Sequence, residues 1–185
     1  DEMVAEVRKE KGALPLLAFA AARLWETRDR EKGLLTREAY REIGGVAGAL
    51  AQHAEATLER IGTPRTPLVR ETFRNLVTAQ GTRAVREREE LLSVFEASGS
   101  RPQAEEVLNA LVDARLLTSY ERAGDGGESH QQVEIIHESL LQAWPRLVRW
   151  QTQDLDGALL RDQLRQAAQL WQDRGKTEDL LWSGQ

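Results

Sequence analysis

The stretch Gly175-Lys176-Thr177 is the part of the chain that most directly suggests nucleotide chemistry, because it resembles the end of a phosphate-binding loop. Leu170 stands where that motif requires its first glycine, and a helix-like pattern precedes the stretch where the motif requires a strand. We therefore interpret it as the end of a helix, where a lysine interacts favourably with the last carbonyl groups. The stretch predicts no phosphate site.

His137 and Glu138 begin like the metal-binding motif of zinc proteases, but Leu141 replaces the second histidine of that motif. The chain has no cysteine, and its other histidines, His53 and His130, are distant in sequence. Since a zinc site needs several such ligands close together, we predict no metal site. The paired carboxylates lie on predicted solvent faces, so we also predict no catalytic residue. We interpret His53 as a histidine at the edge of the core.

The composition limits the classes of protein to which the chain can belong. The 185 residues are 41% hydrophobic and 30% charged, with a formal net charge of −5, which suits one domain or two small ones with a buried core. No apolar run approaches the roughly 18 residues of a membrane span. The absence of cysteine fits a reducing compartment, so we expect a cytoplasmic protein. The acidic balance argues against general binding to nucleic acids.

Apolar residues at helical spacing dominate the first third of the chain. This pattern predicts helices over residues 1–10, 15–30, 37–43 and 46–61. Pro15 suits the first turn of its helix, where the missing N–H has no cost. Thr36 is suited to cap the short helix that follows it, and Gly44 and Gly45 separate that helix from the next one.

A different order follows the loop over residues 62–67: three helices, a strand, a polar loop, a second strand and a helix. The pattern places these elements at about 68–79, 87–96, 102–115, 116–120, 121–132, 133–136 and 137–150. This is the order of a winged helix–turn–helix, whose two strands would pair as a wing with the glycine-containing loop at its tip. Helical spacing then predicts an amphipathic tail helix over 156–173.

We therefore predict a mainly α fold: a small helical subdomain, then a winged helix with a two-stranded β wing, and finally a C-terminal helical linker. The predicted boundaries are residues 1–44 for the lid-like helical subdomain, 45–152 for the winged-helix subdomain and 153–185 for the linker. The chain begins with Asp1 and carries apolar residues near its end. We therefore expect a piece of a longer protein, in which Trp182 is exposed.

Two short segments resemble motifs of a known family of signalling proteins. Gly12-Ala13-Leu14-Pro15-Leu16-Leu17 resembles the GLPL motif of STAND-class signalling ATPases, and Ile135-Ile136-His137-Glu138-Ser139-Leu140-Leu141 resembles their MHD motif. Segments 44–50, 111–117 and 137–147 make the chain similar to a bacterial branch, the novel STAND NTPases that WD40 repeats often follow. The ordered set of motifs covers almost the whole chain.

The resemblance implies that Pro15 packs on the adenine of a bound nucleotide and that His137 reaches the β-phosphate of ADP. His137 would stand at a helix N-terminus, where free N–H groups and the helix dipole favour an anion. A γ-phosphate would crowd this contact, so ADP would hold the winged helix closed and exchange for ATP would release it. The chain would then be the nucleotide-sensing and packing arm of a signal-transduction ATPase.

The sequence contains neither a complete Walker A motif nor a strand typical of Walker B. The catalytic half would therefore precede this chain, which we expect neither to hydrolyse ATP by itself nor to bind Mg²⁺. The resemblance implies two partners in the same protein, an N-terminal ATPase core and a C-terminal repeat domain, and it allows an oligomer on activation. We expect neither a membrane nor a nucleic acid as partner.

Other interpretations of these residues stay open. Helix initiation alone explains Pro15, and His137 could be a junction residue whose ring caps a turn. Glu138 departs from the aspartate of the family motif and would cap a helix less well. The alternative function is a winged-helix transcriptional regulator that binds DNA, although the candidate recognition helix over 102–115 is acidic.

Overall fold

The computed structural model describes residue 3 and residues 13–123 and 129–176, except for the side chains of residues 13–16, 155, 156 and 158. Met3 is helical, and it is the one described residue of the helix predicted over 1–10. The predicted wing tip over 124–128 lies outside the described residues. Trp182 does too, so its expected exposure stays a prediction.

The first third of the chain forms the helices that the sequence predicts. They are α1 (Ala13–Thr27), α2 (Arg37–Glu42) and α3 (Gly45–Ile61). Thr36 caps α2, because its Oγ1 accepts a hydrogen bond from the N–H of Ala39 at 3.1 Å. Helix α1 contacts α3, and its residues Ala20 and Leu24 are buried. The predicted N-cap and the three helices are confirmed, with ends that differ by a few residues.

Glycines allow the sharp corner between α2 and α3. Gly44 and Gly45 have φ angles of 76° and 68°, in the left-handed region that other residues rarely adopt. Gly48 lies against the end of α2, where a Cβ built on it would stand only 2.2 Å from the carbonyl oxygen of Ile43. The close approach of these two helices therefore depends on the missing side chain of Gly48.

Residues 63–135 form helices and a small antiparallel sheet. After a 3₁₀ turn over Thr63–Arg65, the elements are α4 (Thr66–Asn75), β1 (Arg86–Glu87), α5 (Arg88–Ser93), α6 (Arg101–Asp113), β2 (Leu117–Ala123) and β3 (Ser129–Ile135). The strand order is β1-β3-β2, with Leu117 opposite Ile135 and Arg86 opposite Val133. This arrangement, in a mainly helical protein, is consistent with the predicted helical and winged-helix fold.

The sheet contains more than the two predicted wing strands. Strand β1 joins them at one edge, and it is too short to show the alternation of apolar residues that predicts a strand. Strand β2 continues to Ala123, and strand β3 already begins at Ser129. Both strands therefore include residues of the segment 121–132 that we predicted as a loop. Backbone pairing holds these polar residues in the strands, since the hydrogen-bond ladder requires no particular side chain.

The prediction of a single helix over 137–150 is wrong, because the structure has two helices there. They are α7 (Leu140–Ala143) and α8 (Pro145–Thr152). Pro145 has no N–H to continue the first helix, and its ring disfavours a helical backbone at Trp144, whose ψ is 104°. His137 therefore lies ahead of a very short helix, and its predicted place at a helix N-terminus is corrected to a turn before that helix.

Trp144 lies at the centre of one apolar cluster that extends from α1 to α8. Its side chain is fully buried and packs edge-on against Phe73 of α4 and Trp150 of α8, with ring centroids 5.3 and 5.5 Å away. Its Nε1 donates a hydrogen bond to Oε2 of Glu55 on α3, at 3.3 Å. Trp144 and Trp150 thus join α3, α4 and α8 in one core, while the boundaries 1–44, 45–152 and 153–185 stay predictions.

The tail helix, α9 (Leu155–Asp173), matches the predicted amphipathic helix. It contacts the preceding elements through polar side chains: Asp162 Oδ2 accepts from the N–H of Ala79 at 2.9 Å, and Arg165 Nε donates to Glu90 at 3.0 Å. Leu160 and Leu164, by contrast, are 50% and 47% exposed. The apolar stripe of α9 thus faces away from the part of the chain that the structure describes. No helix in the described ranges is both long and apolar enough to cross a membrane.

We predict that Gly48→Ala lowers the free energy of unfolding by about 1–3 kcal/mol, the usual cost of forcing atoms into a packed site. The new Cβ would overlap the carbonyl oxygen of Ile43, so α2 and α3 must move apart. Urea unfolding monitored by tryptophan fluorescence measures the change. Ala56→Ser, at an exposed position of the same helix, is the control and should change the stability by less than about 0.5 kcal/mol. A Gly48→Ala protein as stable as wild type would contradict the packing at this corner.

Asp154 joins the start of α9 to α4, since its Oδ2 lies 2.5 Å from both Arg74 Nε and Arg161 Nη2. Burial alone would raise the pKa of Asp154, but the hydrogen bonds from Arg161 and Arg74 outweigh it and hold the pKa below its ordinary value. A lowered pKa adds stability that is present above the unfolded-state pKa of about 3.9 and is lost as the pH falls through the lowered value.

We predict that Asp154→Asn lowers the free energy of unfolding at neutral pH by about 1–3 kcal/mol, because it removes hydrogen bonds between charged groups. As the pH falls from about 5 to about 3, the wild-type protein should lose more stability than the variant. Urea unfolding at both pH values measures this difference. Asp113→Asn, which changes an exposed aspartate on α6, should behave like wild type. Equal pH dependence of wild type and Asp154→Asn would argue against this role of Asp154.

Candidate functional site

His137 occupies the junction between the sheet and α7. Strand β3 ends at Ile135, and the N–H of Ile136 still donates to the carbonyl oxygen of Leu116 at 3.0 Å. The chain then turns, and the carbonyl oxygen of His137 accepts a hydrogen bond from the N–H of Leu140 at 3.2 Å. The His137 side chain is only 7% exposed. The fold therefore holds an imidazole in a turn whose two ends are fixed by backbone hydrogen bonds.

The contacts of the His137 ring assign its protonation. Nδ1 accepts a hydrogen bond from the backbone N–H of Ser139 at 3.1 Å, and it also contacts the hydroxyl of Ser139. A nitrogen that accepts from an N–H carries no proton, so this hydrogen bond assigns the ring N–H to Nε2. Ser139 thus sets both the orientation of the ring and the atom that can donate.

Arg83 fixes the same junction from the other side. Its Nη1 donates to the carbonyl oxygen of Ile135 at 2.8 Å, and its Nε donates to Oε2 of Glu138 at 2.9 Å. Glu134 on β3 lies 3.5 Å from the same guanidinium. The sequence analysis missed Arg83, because its partners are more than 50 residues away along the chain and no local pattern connects them.

Glu138, the departure from the family motif, is explained by this contact. Ser139 holds the N-cap position of α7: its carbonyl oxygen accepts from the N–H of Ala143 at 2.8 Å, and its side chain makes no capping hydrogen bond. Glu138 itself pairs with Arg83. Glu138 therefore does not cap α7. Its carboxylate instead pairs with Arg83 at the junction next to His137.

Pro15 lies in the first turn of α1, as predicted from its missing N–H. Its side chain is outside the described residues, so its surroundings and its place relative to His137 stay a prediction. Helix α3 contacts both α1 and α7, the two helices that begin next to these residues. The two candidate residues thus belong to segments that pack on the same central helix.

His53 on α3 connects three elements. The Phe19 ring of α1 stacks on it with centroids 4.4 Å apart, and its Nε2 lies 2.7 Å from the carbonyl oxygen of Ala114, just after α6. The ring is half-buried. The interpretation of His53 as a histidine at the edge of the core is confirmed, and its contacts couple α1 to the winged helix.

The candidate DNA-recognition helix, α6, presents carboxylates and neutralised arginines. Arg101 at its start pairs with Glu89 at 2.6 Å and with Glu96 at 2.9 Å. Glu105 pairs with Arg88 at 3.0 Å. Since a DNA-binding surface needs cations that can reach phosphates, these ion pairs make α6 unfavourable for a polyanion.

Gly175 and Lys176 lie at the end of α9, as the sequence predicts. Gly175 and Lys176 have φ angles of 74° and 60°, and the N–H of Lys176 donates to the carbonyl oxygen of Trp171 at 2.8 Å. This geometry is that of a helix end. Among the described residues, no group of three or more His, Cys, Asp or Glu residues could hold a metal ion.

A model of the family Novel STAND NTPase 1 matches residues 1–179, nearly the whole chain. The chain belongs to this family. No curated protein and no solved structure matches it. The match confirms the resemblance that the motifs around Pro15 and His137 suggested, at the level of a STAND NTPase. Association with WD40 repeats and a bacterial origin stay predictions.

We predict that Arg83→Gln lowers the local stability of the junction between β3 and α7 without unfolding the protein. The loss of the contacts to Ile135 and Glu138 should raise amide hydrogen exchange at residues 138–141 by about tenfold, the equivalent of roughly 1.4 kcal/mol of local stability. Mass-spectrometric hydrogen exchange measures this change. Arg122→Gln, which alters an exposed arginine on β2, is the matched control. Unchanged exchange at the junction in Arg83→Gln would show that Arg83 does not brace it.

Proposed function

We propose that this chain is the regulatory arm of its STAND NTPase, which senses the bound nucleotide and holds the ADP-bound off state. The observation that carries the proposal is His137, a buried histidine kept in one tautomer at the braced junction between β3 and α7. With Nδ1 accepting from the N–H of Ser139, Nε2 is the ring nitrogen that would donate to a phosphate. A β-phosphate oxygen is a strong acceptor for such a donor.

The same geometry suits a contact that distinguishes ADP from ATP. Ser139 and Arg83 hold the junction on both sides of His137, so the ring cannot move freely to make room for a further phosphate. A γ-phosphate would therefore weaken the contact. A ligand shifts an equilibrium between two conformations only through such a difference in interaction. Loss of the contact in the ATP state would favour release of the winged helix.

Pro15 would contribute a rigid apolar ring against the adenine, as the family motif implies. Its helix, α1, is joined to the winged helix through α3 and through His53. The adenine contact and the phosphate contact would therefore be made by segments whose helices pack against each other. Closing both onto one nucleotide would hold the helical part and the winged helix together.

The nucleotide itself would be bound mainly by an ATPase core outside this chain, since the sequence contains no complete Walker A motif. On this proposal the chain alone hydrolyses no ATP and holds no Mg²⁺. Its partners are that core and a C-terminal repeat domain of the same cytoplasmic protein, which assembles when ADP is exchanged for ATP. The paired arginines around α6 support this packing role over DNA binding.

We predict that His137→Ala in the whole protein speeds the release of ADP by about tenfold or more, since one hydrogen bond to a charged group is worth about 1.5–3 kcal/mol. Dissociation of a fluorescent ADP analogue measures the rate. His130→Ala is the matched control, because His130 is the other histidine of the sheet region and is partly exposed. An unchanged release rate in a folded His137→Ala protein would refute the proposal.

A further inference from the structure

A cavity lies between α4, the turn over residues 77–81, α8 and the start of α9, away from His137. Its volume is about 50 Å³, several times the roughly 10–15 Å³ that one water molecule requires. Phe73, Val77, Leu147 and Trp150 form an apolar lining, and Arg70, Arg74 and Arg161 supply the charged part. Ligand sites combine an apolar lining with a few charged groups, and this cavity has room for part of a small ligand.

One arginine charge of the cavity lining is unmatched among the described residues. Arg70, Arg74 and Arg161 line the cavity together with Asp154. Arg74 and Arg161 share the Asp154 carboxylate, and Arg74 also pairs with Glu71. Arg70 makes no ion pair with any described residue, although it is half-buried in the lining. The cavity therefore has the charge to accept one monoanion.

Unused hydrogen-bond donors point to the same conclusion. Arg161 Nη1 is buried and makes no hydrogen bond with the described residues. A buried donor without a partner costs free energy, so it calls for an acceptor. A Cβ built on Gly157 would stand 2.7 Å from Asp154 Oδ1, 3.0 Å from Arg74 Nη2 and 3.2 Å from Arg161 Nη1, so the missing side chain of Gly157 leaves room for this ion-paired cluster.

We propose that this cavity binds a small monocarboxylic acid with an apolar body. The carboxylate pairs with Arg70 and accepts a hydrogen bond from Arg161, because a planar guanidinium matches a carboxylate in geometry and charge. The apolar body lies on Phe73 and Trp150. Such a ligand neutralises the unmatched charge and also joins α4 and α8 to α9. The site is independent of the proposed nucleotide contact, since it shares no residue with it.

The test titrates the protein with sodium benzoate and with sodium butyrate by isothermal titration calorimetry. Benzamide is the uncharged comparison, because it has the shape of benzoate without the negative charge. We expect saturable binding of at least one acid, with one site per chain, and no detectable binding of benzamide. No saturable binding of either acid, or equal binding of benzamide, overturns the proposal.

A pair of variants tests the location. Arg70→Met removes the unmatched charge and breaks no ion pair of the described structure, so it should weaken binding by at least about tenfold. Arg149→Met on α8 is the matched control, since Arg149 is exposed and does not line the cavity. Binding that is equal in wild type and Arg70→Met places the ligand elsewhere and overturns the assignment. Thermal unfolding of both variants without ligand shows that they are folded.

Discussion

The burial of Trp144 is the interaction on which the rest of the structure depends. An aromatic side chain of this size removes about 150–250 Å² from water, and here it does so between α3, α4 and α8 at once. Burial of its indole N–H is possible because Glu55 accepts the hydrogen bond, and Arg146 pairs with the same carboxylate at 2.9 Å. One residue thus unites α3, α4 and α8.

The same position also shapes the candidate site. Because Pro145 follows it, Trp144 adopts an extended backbone that ends α7 after a single turn. The segment between β3 and Trp144 is therefore a compact turn instead of a long helix, and it is braced by Arg83 and Ser139. The rigidity that the proposed phosphate contact of His137 requires thus comes from charged and backbone contacts around a tightly packed core.

Two kinds of contact hold the protein together, and they differ in strength. The helices from α1 to α8 share one apolar cluster, whereas α9 is held by ion pairs and hydrogen bonds of Asp154, Asp162 and Arg165. Partly exposed ion pairs contribute little to stability compared with apolar burial. The contacts of α9 therefore give it lower local stability than the helices of the apolar cluster.

The sequence by itself determined the mainly helical class, the helix order, the cap at Thr36 and the family to which the residues around Pro15 and His137 pointed, because these signals are local in the chain. Only the tertiary structure showed the short strand β1, the division of the helix at Trp144, and the partners of His137, Glu138 and Asp154. Arg83 and Arg74 illustrate the reason. Each meets a partner more than 50 residues away, and the energy of such a pair depends on distance and burial, which sequence spacing does not encode.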